Sequence, residues 1–326
     1  MEPLLRVKNL SKFFPIRKGL FLREVGSVRA LDDVSFDLYP GETLGLVGES
    51  GCGKSTLGRT LVRLYEPTQG EVEFLGENFL KLKGADLRAR RKDIQMIFQD
   101  PFASLDPRMT INQILTEPFR VHGLHSRTEQ DRLVKEMMEI VGLKASYLDR
   151  YPHEFSGGQR QRLSIARSIL LKPKLVIADE PVSALDVSIQ AQILNLMKDL
   201  QKEFNLTYLF ISHDLSVVEH LCDRIAVMYL GKIVELASRD ELFKNPRHPY
   251  TKALMAAIPR VGFGKREMKA SLQGEVPSPI SPPSGCHFHP RCAVKQSSCS
   301  VKYPELIEVA PAHFVACPFH SGGTSL

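Results

Sequence analysis

The sequence contains no tryptophan, and it has no apolar run of about 18 residues, the length that a helix needs to cross a bilayer. Its first residues, MEPLLRVKNL, lack the apolar stretch of a secretory signal peptide. Neither sign of charge dominates, because 43 Lys and Arg residues stand against 37 Asp and Glu residues. These absences argue against a transmembrane helix and predict a cytoplasmic protein whose cysteines stay reduced rather than forming disulfides.

The chain is long and apolar enough to bury a large core, since it has 326 residues, of which 43% are hydrophobic and 25% are charged. Buried-strand patterns such as TLGLVGE, KLVIADE and LTYLFISHD alternate with helical stretches, which predicts an α/β fold. RIAVMYLGKIVELA predicts two strands joined at Leu230-Gly231-Lys232. The pattern turns helical from about residue 100 to 170, and a segment rich in proline and serine after residue 261 predicts a linker.

The stretch GESGCGKST fits the pattern G-x-x-x-x-G-K-[ST], in which glycines let consecutive backbone N–H groups turn towards phosphate oxygens. A buried strand precedes it, and a helix predicted over Ser55–Leu64 would direct its positive dipole end at the anion. In this pattern Lys54 reaches the β- and γ-phosphates, and the Ser55 hydroxyl binds Mg²⁺. A glycine-rich turn without a ligand is the alternative. The residues of this predicted phosphate loop are Gly48, Glu49, Ser50, Gly51, Cys52, Gly53, Lys54, Ser55 and Thr56.

An acidic pair ends the buried-strand pattern LVIADE. Asp179 stands where open α/β sheets place their ligands, and we expect it to orient Mg²⁺. Glu180 follows directly and is a candidate general base that polarises the attacking water. The alternative is a pair of strand-ending acids that face solvent, and the phosphate loop elsewhere in the chain weighs against it.

A second glycine-lined helix start stands in FSGGQRQRLSIARSIL. Ser156 followed by Gln159 fits the S-x-x-Q capping box, which predicts that Ser156 begins a helix. Gly157 and Gly158 leave the backbone N–H groups of the first turn open to an incoming phosphate. The chain therefore has a second candidate anion site, which acts within one chain or across a dimer. A capped helix without a ligand is the alternative.

Together these motifs resemble those of the ATP-binding-cassette (ABC) ATPases, over residues 1 to about 260. GESGCGKST is similar to the Walker A loop, FSGGQ to the signature motif, and LVIADE to Walker B. SALD, which ends at Asp186, resembles the D-loop, Gln99 the Q-loop glutamine, and His213 the switch histidine. All six motifs stand in the order that the family shows. Phe14 best matches the aromatic residue that stacks on adenine in this family.

The resemblance implies that two cassettes pair head to tail, with ATP between the Walker motifs of one and Ser156 of the other. Mg²⁺ would be held by Ser55, Gln99 and Asp179. Gln99 would also link the site to a membrane partner, and Asp186 would bridge to the opposing subunit.

The same resemblance implies that hydrolysis depends on Glu180 as the base, on Gln99, and on His213 at the γ-phosphate. Two residues depart from the family's usual pattern, which more often has tyrosine at the position of Phe14 and leucine at that of Phe155. Neither departure removes a phosphate contact.

Several stretches are similar to a narrower branch, the oligopeptide/dipeptide importer ATPases, among them QDPFASLDPR, SHDLSVVEH and NPRHPYTKALMAAIPR. This resemblance covers essentially the whole chain and extends to the second ATPase subunit of a dipeptide permease. It implies a motor on the cytoplasmic face of the inner membrane, paired with a second, usually different ATPase below two permease subunits. A peptide-binding protein outside the membrane would deliver the cargo, which the sequence does not specify: peptide, nickel, haem precursor and glycan importers share this ATPase type.

The implied domains are an ABC ATPase at 1–260, with a helical subdomain at about 100–170, and a linker with a cysteine-rich region at 261–326. In that last region Cys286, Cys292, Cys299 and Cys317 are spaced C-x5-C-x6-C-x17-C. Four thiolates suit tetrahedral zinc or an Fe–S cluster, although the first gaps exceed the usual zinc spacing. The resemblance favours a [4Fe-4S] cluster. Zinc stays as the alternative because nearby histidines offer further ligands: His287, His289, His313 and His320.

We expect the metal to fold a tail that is too short to build a core of its own. Cys52 and Cys222 lie outside the tail, and we expect both to be packing residues. Two other functions fit part of the pattern. A soluble ABC ATPase acting on DNA or ribosomes is disfavoured, because the chain has neither the long coiled coil nor the second cassette of such proteins. An Fe–S redox-regulated ATPase would use the tail cysteines as its sensor. We expect no nucleic-acid partner.

Overall fold

The computed structural model describes residues 2–19, 23–257 and 274–319. These residues divide into two compact units, and both contain strands and helices, which confirms the predicted α/β fold. The units are formed by the described parts of Met1–Leu4, Leu38–Thr43 and Gly76–Ile211 (unit 1) and of Leu5–Asp37, Leu44–Leu75 and Ser212–Leu326 (unit 2). The predicted domain bounds are a different division and stay a prediction. Residues 261–273 of the predicted linker fall outside the described residues, whereas its proline- and serine-rich stretch at 276–285 is described and contains no helix or strand.

The elements of the described chain are these. The strands are β1 (Leu5–Lys18), β2 (Arg23–Leu38), β3 (Thr43–Val47), β4 (Gln69–Phe74), β5 (Glu77–Asn78), β6 (Ile94–Ile97), β7 (Leu175–Asp179), β8 (Thr207–Ser212), β9 (Arg224–Tyr229), β10 (Lys232–Ser238), β11 (Ile307–Ala310) and β12 (His313–Val315). The α-helices are α1 (Lys54–Leu61), α2 (Gly84–Arg91), α3 (Pro101–Ser104), α4 (Ile111–His122), α5 (Arg127–Ile140), α6 (Gly157–Ile169), α7 (Val187–Phe204), α8 (Leu215–Leu221), α9 (Arg239–Lys244) and α10 (Pro249–Ala256). None of the helices in the described ranges is both long enough and apolar enough to span a membrane.

Parallel strands organise unit 1. β7 pairs in parallel with β6 and with β8, with Ile94 opposite Leu175 and Asp179 opposite Ile211. Every residue of β7 is buried, as expected for a parallel strand that is covered on both faces. Because the carboxyl ends of parallel strands meet at one edge, this pairing places the acidic end of β7 at that edge.

In the described residues of unit 1, side-chain hydroxyls cap three helices. Thr110 caps α4, Ser126 caps α5 and Ser156 caps α6, and each hydroxyl accepts a hydrogen bond from the backbone N–H three residues later. α4 ends at Gly123, whose φ of 63° is the left-handed conformation that favours glycine. α6 contacts α3, α4 and α5, so the helices between residues 101 and 169 pack around α6.

Unit 2 contains antiparallel strands and a tight hairpin. β1 pairs with β4, and β10 pairs with β9 through a two-residue turn of Leu230 and Gly231. Both turn residues have positive φ, 45° and 80°, which is the geometry of a type I′ turn. The structure thus confirms the two strands that the sequence predicted around this turn. β3 runs parallel to β9 and leads into the phosphate loop.

The C-terminal tail of unit 2 adds two strands to the antiparallel pair of β9 and β10. β12 pairs with β10, where Val315 lies opposite Glu235, and β11 pairs with β12. Val315 and Phe288 are buried, so the tail packs into the core of unit 2 instead of needing a core of its own. Sheet hydrogen bonds and apolar burial therefore order the tail, and a contribution from a metal stays a prediction.

Helix α1 is shorter than predicted. The sequence predicted a helix over Ser55–Leu64, whereas α1 spans Lys54–Leu61. Arg63 has a φ of 55°, a left-handed conformation that a helix cannot contain. The chain therefore leaves the helix before Arg63, earlier than the predicted end at Leu64.

Candidate functional site

Two glycines of the phosphate loop occupy positions that admit no side chain. Gly48 has a φ of 153°, and a Cβ there would lie 2.1 Å from the Met228 carbonyl oxygen. Gly53, which precedes α1, has a φ of 110°, and its Cβ would lie 2.2 Å from the Ala30 carbonyl oxygen. Glycine is therefore required at both positions, and the loop is packed tightly against its neighbours.

Lys54 closes the phosphate loop. Its buried ammonium donates hydrogen bonds to the carbonyl oxygens of Gly48 (2.7 Å) and Glu49 (3.0 Å). The charge is thereby fixed inside the loop and at the N-terminal end of α1, whose dipole is also positive there. An ammonium beside the first backbone N–H groups of a helix is the chemistry that binds phosphate.

The remaining loop residues support this geometry. Cys52 is buried, burial raises the pKa of its thiol, and its carbonyl accepts a 2.9 Å hydrogen bond from the Gly231 N–H. Cys52 is thus a packing residue, as predicted, and so is the buried Cys222 after α8. Ser55 and Thr56 stand in the first turn of α1.

The predicted adenine-stacking residue lies on β1 in the same unit as the loop. The ring of Phe14 is half-buried and makes an edge-to-face contact with Tyr65, at 5.3 Å between centroids. The Lys12 ammonium lies 4.8 Å from the ring centre of Phe14. The stacking of Phe14 on adenine stays a prediction.

Two predicted catalytic residues lie in direct contact in unit 1. The side-chain amide of Gln99 donates a 2.9 Å hydrogen bond to Oε2 of Glu180. Glu180 has a φ of 47°, and its N–H donates to the carbonyl of Ile211. A positive φ is strained for a residue with a side chain, and such strain is concentrated at functional sites. Asp179, buried at the end of β7, directly precedes this residue.

The signature serine caps its helix as the sequence predicted. Ser156 Oγ accepts from the Gln159 N–H (3.3 Å), and Gln159 Oε1 accepts from the Ser156 N–H (3.0 Å). Ser156 is exposed, so its hydroxyl is accessible to a second molecule. Gly157 stands half-buried beside it, and a Cβ on Gly158 would lie 2.6 Å from Cγ2 of Ile189, so close packing against α7 requires this glycine.

The D-loop aspartate has a visible structural role. Asp186 caps α7, where its carboxylate accepts hydrogen bonds from the Ser188 hydroxyl (2.7 Å) and the Ile189 N–H (3.1 Å). These hydrogen bonds lower the pKa of Asp186, and the one from Ser188 contributes most. His213 is exposed in the turn between β8 and α8. A bridge from Asp186 to another subunit and a γ-phosphate contact of His213 stay predictions.

Comparisons with known proteins agree with these motifs. The family model of the ABC transporter matches residues 31–183, and that of the oligopeptide/dipeptide transporter C-terminal region matches residues 234–299. The oligopeptide transport ATP-binding protein AppF of Bacillus subtilis is 57% identical, and the alignment covers 98% of each chain. The chain belongs to the ABC transporter ATPase family. As an ABC ATPase it binds and hydrolyses ATP.

Other members of the ABC family extend the comparison. The dipeptide transport ATP-binding protein DppF of Haemophilus influenzae is 53% identical over 98% of this chain and 97% of its own. Among solved structures, the ATP-binding cassette MJ0796, dimeric and bound to ADP and phosphate, superposes with a TM-score of 0.64 at 28% identity, covering 72% of this chain and 98% of that one. CbiO1 of Clostridium perfringens gives the same TM-score at 25% identity, covering 75% and 92%. These structures confirm the ABC-type fold.

The tail of this ABC ATPase brings its four cysteines to one cavity. The cavity measures about 290 Å³, lies in unit 2, and is lined by Cys286, Cys292, Cys299 and Cys317 together with His289. Burial raises the pKa of the Cys286 thiol to about 11 and also raises the pKa values of Cys292 and Cys317. Burial and the neighbouring cysteines therefore disfavour the thiolate form of these three residues.

The metal predicted for this tail stays a prediction. Within the described ranges, no group of three or more His, Cys, Asp or Glu side chains is placed to hold a metal ion. Of the histidines considered as zinc ligands, His287 is hydrogen-bonded to Leu230 O and His313 to Glu235, while only His289 lines the cavity. His320 lies outside the described residues.

The sequence did not predict two contacts that reach the phosphate loop from outside it. The Arg291 guanidinium forms a two-pronged ion pair with the Glu49 carboxylate, with bonds of 2.6 and 3.1 Å. The Glu49 N–H donates a 2.9 Å hydrogen bond to the Tyr250 hydroxyl. Arg291 carries no sequence pattern that would have identified it, since its partner is 242 positions away.

Proposed function

We propose that this chain is the ATP-hydrolysing motor subunit of an importer for oligopeptides or dipeptides. The observation that carries this proposal is its similarity to AppF and DppF along almost the whole of each chain, the C-terminal region included. It works on the cytoplasmic face of the inner membrane, below two permease subunits. A second and different ATPase subunit pairs with it, and an external binding protein delivers the peptide.

The residues of the phosphate loop bind the nucleotide in this proposal. Lys54 contacts the β- and γ-phosphates, and the backbone N–H groups from Gly51 onwards surround them. Ser55, Asp179 and Gln99 supply the oxygen ligands that Mg²⁺ prefers. Bound Mg²⁺ neutralises charge on the phosphates.

Hydrolysis depends on the contact between Gln99 and Glu180. The hydrogen bond from the Gln99 amide fixes the Glu180 carboxylate, which takes a proton from the attacking water. Ser156 of the paired ATPase meets the γ-phosphate from the opposite side, and this contact closes the dimer. His213 contacts the same phosphate, and Asp186 bridges the two subunits.

A cleft in unit 1 takes the permease in this proposal. Most of its lining comes from residues 104–117, which follow Gln99 in the chain. The cleft measures about 580 Å³, and its lining includes charged residues of both signs: Asp106, Arg108, Glu117 and Arg167. Arg167 donates a hydrogen bond to the carbonyl of Ser104, which fixes one wall. A cytoplasmic helix of a permease subunit, inserted here, would transmit movement from the cassette to the membrane.

The cysteine-lined cavity holds a [4Fe-4S] cluster in this proposal, with Cys286, Cys292, Cys299 and Cys317 as ligands. The support for this assignment is that all four cysteines line one cavity, although no group of three or more His, Cys, Asp or Glu in the described ranges is arranged to hold a metal ion. The cluster would join separate segments of the tail.

Iron and acid-labile sulfide analysis of anaerobically purified protein tests this assignment. We expect about four irons and four sulfides per chain. Replacing Cys299 with serine should lower both. Stoichiometric zinc without sulfide, or no metal at all, would reject the cluster and leave the importer proposal intact.

Purification of the tagged chain from its host in mild detergent tests the importer proposal. We expect two permease subunits and a second ABC ATPase to co-purify. A variant with Arg108→Glu in the cleft should lose the permeases and keep the partner ATPase. Recovery of ribosomes or DNA in their place would support a soluble ABC ATPase. An ATPase with no membrane partner that loses activity on oxidation would support a redox-regulated enzyme.

A further inference from the structure

Glu49 connects the phosphate loop to the C-terminal tail. Its carboxylate receives both terminal nitrogens of Arg291, and its N–H is bonded to the Tyr250 hydroxyl. The Arg291 side chain is 5% exposed and the Glu49 side chain 24% exposed, so the ion pair is largely removed from water. A two-pronged arginine–carboxylate pair in such surroundings fixes both groups in one geometry.

Arg291 is itself rigidly placed between two tail cysteines. It directly precedes Cys292, and its N–H donates to the carbonyl of Phe288. Phe288 is buried and packs against the rings of Tyr229 and Tyr250, at 5.3 Å between centroids in both cases. The guanidinium also donates to the Tyr229 hydroxyl at 3.5 Å. The position of Arg291 is therefore set by the fold of the tail.

The charge balance gives this contact a consequence for nucleotide binding. Glu49 places a negative charge in a loop built to surround phosphates, and a bare carboxylate there would repel a triphosphate. Arg291 neutralises that charge and holds the carboxylate on the tail side of the loop.

We propose that Arg291 is a positioning residue for ATP binding, through which the folded C-terminal tail neutralises and orients Glu49 of the phosphate loop. The proposal depends on one part of the proposed function, namely that ATP binds to the phosphate loop. It assigns to the cysteine-containing tail a direct effect on nucleotide affinity, separate from any role in joining subunits.

Titration of the full-length chain with a fluorescent ATP analogue and Mg²⁺ tests the proposal. Arg291→Gln should weaken binding about tenfold, because the carboxylate of Glu49 is left unneutralised. Glu49→Gln should weaken binding clearly less than Arg291→Gln does, since it removes the repelling charge itself. In the Glu49→Gln background, Arg291→Gln should have little further effect on ATP affinity. The single variant Arg291→Lys should bind ATP more tightly than Arg291→Gln and less tightly than the wild type. Lys295→Gln, a charge removal at an exposed tail position, is the matched control and should bind like the wild type.

The outcomes separate three explanations. A merely structural ion pair predicts equal losses from Arg291→Gln and Glu49→Gln, and that result overturns the proposal, as does unchanged affinity in Arg291→Gln. Steady-state kinetics give a second readout, in which KM for ATP should rise while kcat stays constant. If Arg291→Gln does not fold, the ATP affinities of Glu49→Gln and of the double variant are compared instead. A double variant that binds ATP much more weakly than Glu49→Gln contradicts the charge argument. Should Lys54→Ala bind as tightly as the wild type, the placement of ATP on this loop fails instead.

Discussion

The side-chain amide of Gln99 donates a 2.9 Å hydrogen bond to Oε2 of Glu180. The two residues are 81 positions apart in the chain, and both were predicted as catalytic residues from separate motifs. Their contact means that any movement of the segment after Gln99, where we place the permease, changes the surroundings of the candidate base. This relationship gives a physical route from the membrane partner to the chemistry of ATP.

Glu180→Gln should abolish turnover and retain ATP. An amide cannot accept the proton of the attacking water, so kcat should fall by about 10²- to 10⁴-fold while ATP affinity stays within about threefold. Phosphate release and nucleotide titration measure the two quantities. Lys54→Ala is the matched control, because it should lose affinity itself. An unchanged kcat in Glu180→Gln would remove this residue from the role of base.

Two glycines of the phosphate loop should respond differently to alanine. Gly53→Ala adds a methyl group 2.2 Å from a carbonyl oxygen, whereas at Gly51, with a φ of 78°, no atom lies within 4 Å of the new carbon. Gly51→Ala should therefore cost only the strain of its conformation, about 1–2 kcal/mol of unfolding free energy. Gly53→Ala should cost more and also lose nucleotide binding. Thermal unfolding and nucleotide titration compare them, and equal losses would contradict the packing described here.

The buried pair of Glu235 and His313 should make the docking of the tail sensitive to acid. Burial by itself raises the pKa of Glu235, but hydrogen bonds from His313 and from the N–H groups of Arg247 and His248 outweigh it and hold the pKa below its ordinary value. A lowered carboxyl pKa stabilises the folded state above the ordinary pKa, and this contribution is lost as the pH falls through the folded pKa. The contribution of Glu235 to stability should therefore be constant near neutrality and decline below about pH 4.5.

Glu235→Gln should lose this pH-dependent contribution. Its unfolding free energy at pH 7 should be lower by about 1.5–3 kcal/mol, and the difference from the wild type should shrink in acid. Thermal unfolding between about pH 2.5 and 7 measures this, and limited proteolysis of the tail gives a local readout. Glu241→Gln, a more exposed carboxylate near the same histidine, is the control and should change little. A constant difference at every pH would contradict the role of the Glu235 charge.

ATP should protect the tail from thiol reagents if Arg291 connects tail and loop. Binding energies are reciprocal, so a tail that strengthens ATP binding is stabilised by ATP to the same extent. In metal-free protein, ATP should slow maleimide labelling of Cys292 by up to about tenfold, by reducing local opening of the segment that follows Arg291. The protection should vanish in Arg291→Gln. Equal labelling rates with and without ATP in the wild type would argue against the connection.

Local patterns in the sequence predicted those features that neighbouring residues determine. The capping box of Ser156 and Gln159 and the turn at Leu230 and Gly231 depend on a few consecutive residues, and the structure shows both as expected. The requirement for glycine in the phosphate loop was predicted for the same reason. The contact of Gly158 with α7 was not predicted, because it depends on tertiary packing.

Contacts between distant segments could not be predicted from one sequence. Nothing near Arg291 or Glu49 indicates that they pair, and a short run around His313 did not predict that β12 joins β10. The end of α1 was placed too late because a left-handed conformation at Arg63 has no proline or glycine to indicate it. Such features depend on which surfaces meet after folding, and this information is spread over the whole chain.

Peptide accumulation in vesicles that contain the purified complex tests the central claim most directly. With ATP on the side of this chain and binding protein on the other, the wild-type complex should accumulate a labelled dipeptide or oligopeptide. A complex with Glu180→Gln should assemble equally well and accumulate none. Accumulation that does not depend on ATP, or that continues undiminished with Glu180→Gln, would contradict the claim that this chain drives the transport.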